Sequence, residues 1–234
     1  KAVLDAINER DKEDTPEETK KDIQEKKCQK NGDRNLLYTS IYVLCFCAIG
    51  VNLIKDGLTT WVPSILKEEF AMSDSLSILL TLFLPIIAVF GNVGALKIHK
   101  IIPDYVNHCV AIFAIIAVFI CGIIASLTFK IISFMFFGLV IVNFLASSLN
   151  SLITSIFPLF MRGRVNSGLF AGVLNGFCYL GSTISSYGLG AIADNFGWTA
   201  VFWTLIGFCI VVFIVWIGYA SIKNFIKIKS FEKN

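Results

Sequence analysis

Cys109-Val-Ala-Ile-Phe-Ala-Ile-Ile-Ala-Val-Phe-Ile120 is a run of twelve residues without a single Asp, Glu, Lys, Arg or His. The apolar span around it, 107 to 128, matches the ~20 residues a helix needs to cross a hydrocarbon core about 30 Å thick. It is apolar all the way round rather than along one stripe, so its natural surroundings are lipid. A barrel strand would alternate apolar and polar residues over about ten positions, which excludes a membrane β-barrel. Five further spans of similar length flank it, giving six in all at 37 to 60, 75 to 97, 107 to 128, 131 to 155, 166 to 191 and 199 to 221. Punctuation between them is polar or turn-forming: Trp61-Val62-Pro63 through Asp74, Lys97 to Asn107, Phe129-Lys130, Met161 to Arg164, and Asp194 to Trp198.

Composition agrees with this reading. Of 234 residues, 56% are hydrophobic and 16% charged, and the mean hydropathy is +0.73; soluble domains run nearer 45–50% apolar and about 25% charged. Nine of the 20 basic and ten of the 17 acidic residues precede Asn35. The sequence therefore divides into a polar linker, 1–35, a six-helix transmembrane bundle, 36–221, and a basic tail, 222–234. In the linker, Thr15-Pro16-Glu17-Glu18 reads as a helix start, with Thr15 as cap and Pro16 at the first helical position. Asn31-Gly32 reads as its stop. This helix, 16 to 30, has no apolar stripe and is expected to be a solvated linker.

The net charge of +3 is small and dispersed, so nucleic acid is set aside as a partner. The seven cysteines lack metal-type spacing, and Cys45 and Cys47 face different ways on a helix. No metal and no cofactor are expected. The chain opens on Lys1 rather than Met, without the pattern of a signal peptide. The absent initiator Met suggests that something upstream is missing. Counting basic residues outside the linker, one set of loops with the tail carries Lys97, Lys100, Arg162, Arg164 and four tail lysines, and the other set carries Lys55, Lys67 and Lys130. Eight against three places both termini in the cytoplasm of a multi-pass protein of the cell (plasma or inner) membrane.

Polarity differs among the spans. The third and sixth are almost wholly apolar and are expected on the outside of the bundle. The first holds Asn52, Lys55 and Asp56, the second Asn92, and the fourth Asn143, Ser147, Asn150 and Thr154. Those four positions of the fourth span fall on one helix face. Such a stripe lines either a helix contact or a water-filled path. The fifth span holds Asn175, Tyr179, Ser182, Ser185 and Ser186, and its Gly168, Gly172 and Gly176 recur every fourth residue, a spacing that lets helices approach closely. The sequence wet, wet, dry, wet, wet, dry suggests two three-helix repeats.

Two stretches carry a resemblance. Asn52-Leu-Ile-Lys55-Asp-Gly57-Leu-Thr-Thr-Trp61-Val-Pro63, with Gly176-Phe-Cys-Tyr179-Leu-Gly181 and Asp194-Asn-Phe196-Gly197-Trp198, resembles the second half of a major facilitator superfamily transporter, within it the organophosphate:phosphate antiporter family. The resemblance covers about residues 36 to 221. It implies an all-α integral membrane fold, half of a twelve-helix carrier, whose N-terminal six-helix half is the partner of this one. Gly94-Ala-Leu-Lys97-Ile-His99-Lys100 departs from the superfamily's loop signature by lacking its acidic residue. The expected activity is secondary transport of a small polar or anionic solute, an organophosphate or carboxylate, by alternating access. Lys55 stands where family members carry an Arg that contacts phosphate, and lacks that side chain's two-pronged grip. Asn52, Asn143, Ser147, Asn150 and Tyr179 complete the expected solute site. Whether Lys55 binds solute, pairs with Asp56 or snorkels to the surface is open at this stage. An alternative is a six-helix permease subunit or channel of another class. An enzyme is not expected, since His99 and His108 read as plain loop histidines and no metalloprotease motif is present.

Overall fold

The computed structural model describes residues 16–102, 104–162 and 166–231, and among these every element is helical. We number the helices α1 (Pro16–Phe70), α2 (Asp74–Thr81), α3 (Phe83–Ile101), α4 (Tyr105–Phe129), α5 (Ile132–Ser151), α6 (Phe157–Phe160), α7 (Ser167–Ile184), α8 (Gly190–Phe196) and α9 (Trp198–Phe231). A π-helical turn, Leu152–Ile156, joins α5 to α6, and a second, Ser185–Leu189, joins α7 to α8. Five helices are long and apolar enough to cross a membrane: Tyr38–Phe70, Asp74–Ile101, Tyr105–Phe129, Ile132–Phe160 and Trp198–Asn224. The remaining expected span corresponds to α7, the π turn and α8, a continuous helical rod made less apolar by its glycines and hydroxyls. The described residues are thus all-helical and of the multi-pass membrane type.

Helix ends follow local chemistry. Asp104 caps α4 by accepting from the backbone N–H groups of Val106 (3.1 Å) and Asn107 (3.2 Å), two of the donors a helix start leaves unpaired. The same helix ends at Lys130, whose backbone is left-handed (φ 54°). Asn166 accepts from Leu169 N–H at the start of α7. Gly197, at φ 79°, makes the corner between α8 and α9 that a side chain would strain. One expected stop is overturned: α1 starts at Pro16 but runs through Asn31-Gly32 to Phe70. A glycine inside a helix costs only about 1 kcal/mol, too little to break one that is propagated from both sides. Thr15, its expected cap, lies outside the described residues.

Two compact units are present. The larger is Tyr42–Gly218; the other takes in the described residues 16–41 and 219–231. In the latter, the Ser40 hydroxyl donates to Tyr219 Oη (3.2 Å), and Lys223 Nζ lies 5.9 Å from the centre of the Tyr219 ring.

In the larger unit α1 is the axis. Val43, Leu44, Val51, Ile54, Leu58, Val62 and Ile65 are buried, and two-thirds (67%) of its apolar window is covered by neighbours. Helix α7 crosses it where Gly181 lies against the Ile49 backbone and where Gly57 faces Ser185 and Leu189; Gly190 receives the Trp61 ring. Phe208 of α9 stacks on Phe46 (5.2 Å between centroids), and Gly50 leaves room for it. Helix α5 packs between α3 and α4.

The third span, expected on the outside of the bundle, buries one side of α4 with Phe113, Ile116, Ile120 and Ile123 and turns Ile115, Val118 and Cys121 outward. The most exposed span is the second, α2 with α3, of whose apolar window only 17% is covered. Hydropathy reports which helices tolerate lipid, but not which of them neighbours enclose. The glycine stripe is also reassigned. Nothing lies within 4 Å of the position a side chain would take at Gly172 or Gly176, and at Gly168 only Asn166 Oδ1 does. Close approach is made instead by Gly181 and Gly190.

Candidate functional site

Between positions 35 and 66 the only charged residues are Lys55 and Asp56. Both sit near the middle of Tyr38–Phe70, so at about 1.5 Å per residue Lys55 lies roughly 25 Å along the helix from either end. The helix does not stop near Gly57 but runs on to Phe70, so Lys55 sits within it rather than at its end. There it pairs: Lys55 Nζ is 3.1 Å from Asp56 Oδ1, with the two side chains 24% and 33% exposed. The Ser182 hydroxyl on α7 donates to the other carboxylate oxygen, Oδ2. Asp56 is therefore held on both oxygens, by a cation from its own helix and by a hydroxyl from the helix crossing it.

One turn away, Asn52 is buried and its amide nitrogen donates to Asn150 Oδ1 of α5 (3.0 Å) and to the Ala48 carbonyl (3.2 Å). Cys178 of α7 donates its S–H to the same Asn150 oxygen at 3.6 Å. Three helices thus meet on neutral polar groups directly beside the ion pair. The cost of burying such groups in a bilayer is offset only where they bond to one another or face water.

Beyond the ion pair, Trp61 Nε1 donates to the Ser185 carbonyl (3.2 Å). Ser185 is the first residue of the second π turn, where the ordinary ladder of helix bonds is interrupted and carbonyls become free for outside donors. Trp61 also packs near Trp198 (5.9 Å between ring centres), whose own Nε1 donates to Glu68 (2.7 Å). Past it, Lys130 Nζ meets Glu69 Oε2 at 2.6 Å and Lys67 meets Asp74 at 2.9 Å.

The expected site residues divide into three groups. Lys55, Asn52 and Asn150 are brought together. Asn143 and Ser147 are buried and bond to each other (3.2 Å), and the Ser147 Cβ lies 3.1 Å from the space above Gly91 of α3, so this part of the fourth-span stripe is a helix contact. Thr154 bonds back to the Asn150 carbonyl of its own helix (2.8 Å). Tyr179 points away, 73% exposed on the open side of α7 with Asn175 and Ser186. The residues absent from the expected set are Asp56, Ser182 and Cys178. A sequence signal existed for the last two: Cys178, Ser182 and Ser185 repeat at helical spacing on the fifth span. The histidines differ from expectation as well, since His108 is fully buried in α4 and stacks 5.7 Å from His99.

No protein-family model matches this sequence, and a search of the curated proteins finds no match.

Proposed function

We propose that this chain forms one six-helix half of a secondary transporter of the major facilitator type, moving a small anionic solute across the cell membrane by alternating access. The observation that carries the reading is the Lys55–Asp56 pair at mid-length of a membrane-long axial helix, ringed by Asn52, Asn150, Cys178 and Ser182. A charge pair at that depth usually marks a solute or ion pathway. The partner surface is the open side of α3 and α7. It exposes Asn92, Val89, Val93 and Leu96 on one helix and Asn175, Gly176 and Tyr179 on the other. A second six-helix half seated there encloses the ion pair in a cavity whose two ends open alternately. In this reading Lys55 is the anion-binding cation, both termini are cytoplasmic, and the solute is an organophosphate or a carboxylate.

The test is counterflow of radiolabelled phosphate, a sugar phosphate and a monocarboxylate in proteoliposomes of the full-length protein. Hydrogen bonds to a charged group contribute about 1.5 to 3 kcal/mol, so Lys55→Ala should raise the half-saturating concentration by roughly ten- to 150-fold. Lys55→Arg should retain transport. A Lys55→Ala protein that inserts normally and transports with unchanged affinity and rate removes Lys55 from the site.

A further inference from the structure

We infer that the end of the bundle carrying Lys97, Lys100 and Arg162 binds anionic phospholipid headgroups; this needs the membrane setting of the helices and not the transporter reading. Apart from Lys55 and Asp56, the described charges of the larger unit lie at its two ends, because successive spans run in opposite directions. One end holds Lys67 and Lys130 with Glu68, Glu69, Asp74 and Asp194. Both of its cations are neutralised, Lys67 by Asp74 (2.9 Å) and Lys130 by Glu69 (2.6 Å). The other end holds Lys97, Lys100 and Arg162 with Asp104 as its one described acid. Asp104 is turned to its own helix, where Oδ1 accepts from the backbone N–H groups of Val106 and Asn107. Among the described residues no acid lies within ion-pairing distance of the three cations. The segment 94–100 lacks the acidic residue of the loop signature it resembles, and no described neighbour supplies one.

The fold gathers these cations around one corner. Lys97 and Lys100 lie about one turn apart at the C-terminal end of α3, a spacing that makes them neighbours on one face. The ring of His99 lies 4.4 Å from that of Tyr105, which in turn lies 5.4 Å from Phe160, two residues before Arg162. All three cations are exposed. So are the apolar side chains beside them, Ile101 (80%) and Phe160 (61%) among them. A soluble acidic partner would match the cations and leave those apolar groups uncovered. A phospholipid matches both, with its acyl chains against Ile101 and Phe160 and its phosphate on the ammonium and guanidinium groups at the helix ends. Trp216 of α9 marks the same level, since its Nε1 donates to Asn107 (2.9 Å) in the first turn of α4, and an indole of this kind sits at headgroup depth. A headgroup phosphate here meets cations that have no pair to break, whereas at the opposite end it would compete with Asp74 and Glu69.

Native mass spectrometry of the full-length protein, in detergent supplemented with phosphatidylglycerol or with phosphatidylcholine of the same acyl chains, reads the affinity of each lipid from its adducts. An anionic lipid gains about fivefold for each cation near the surface, so the wild type should favour phosphatidylglycerol by up to about 100-fold. Lys97→Gln, Lys100→Gln and Arg162→Gln combined should bring that preference close to unity. The charge-keeping set Lys97→Arg, Lys100→Arg and Arg162→Lys should retain it. Lys67→Gln with Lys130→Gln, at the end where acids already neutralise the cations, should change it by less than about twofold. Equal affinity of the wild type for the two lipids overturns the inference and leaves the three cations a role in orientation alone. It is overturned equally if the triple glutamine protein keeps the preference, or if the Lys67/Lys130 protein loses it as completely. Glycerol 3-phosphate, which carries the phosphate without the chains, should not displace the lipid; displacement at matched concentration overturns the lipid assignment in favour of a soluble phosphate. If the triple variant does not assemble, the three single variants are read in its place. Each should lose about fivefold, and no loss in any of them overturns the inference.

Discussion

Gly181→Ala should destabilise the protein, whereas Gly172→Ala, on the same helix, should not. A methyl group at 181 would stand 3.1 Å from Ile49 Cα, 2.9 Å from its carbonyl carbon, and nearer still to its carbonyl oxygen. Unstrained carbon pairs sit about 3.5–4.0 Å apart. The obstacle is backbone, which cannot rotate away as a side-chain tip does, so α1 and α7 must separate by something on the order of 0.5 to 1 Å. A gap of that size forfeits a quarter to a half of each dispersion contact along the crossing. The expected net cost is about 1 to 3 kcal/mol, the usual range for overpacking. At Gly172 nothing lies within 4 Å, so alanine there should gain up to about 1 kcal/mol of helix propensity. Thermal unfolding of purified protein in one detergent should show Gly181→Ala lower by several degrees, at about 2–4 °C per kcal/mol for a chain of this size. Gly172→Ala should match the wild type or exceed it. Equal melting of the two variants, or the reverse order, would refute the assignment of the crossing to Gly181.

Phe113→Ala empties a fully buried position between helices. Lipid supplies no water-transfer term, so the cavity alone should cost about 2 kcal/mol, at about 24 cal/mol per Å³ over a void on the order of 100 Å³. Val118→Ala, on the exposed side of the same helix, should shift the melt by no more than about 0.5 kcal/mol. Trp61→Phe removes the donor to Ser185 and should cost about 1 kcal/mol by the same assay, with transport slowed because the π turn loses its outside bond. Lys130→Ala breaks an exposed pair with Glu69 and should change stability by less than about 1 kcal/mol, an effect that added salt reduces.

The membrane-length helices were legible because lipid demands long uninterrupted apolar runs, and each charged punctuation mark falls near a helix end. Asp104 and Asn166 cap by a mechanism that acts within four residues, so sequence could anticipate such turns. Packing was less legible. Gly172 and Gly181 look alike in sequence, and only the crossing with Ile49 distinguishes them. Likewise the stripe from Asn143 to Thr154 shares one face, but two different neighbours divide it, Gly91 beside Ser147 and Asn52 beside Asn150. Lys55 stood out as a charge within an apolar span, and its pairing with Asp56 was one of three readings the sequence left open, because adjacent residues on a helix diverge and only the length and flexibility of a lysine side chain lets it fold back to its neighbour.

The π turn at Ser185–Leu189 bears on any comparison of this segment with other chains. Such a turn absorbs one residue more than the α-helical ladder would, and each residue turns a helix by about 100°. It acts as a phase slip. Gly190 faces Trp61 because of that offset, although it belongs to a different helical track from Gly181 nine positions earlier. Deleting one residue within 185–189 should let a regular helix form while leaving Gly190 on the indole and Trp198 beside Glu68, whereas the same deletion in the regular part of α7 should rotate everything after it by about 100°. An alignment that opens a one-residue gap at this turn therefore records the gain or loss of the turn itself, with the same side of the rod still facing α1.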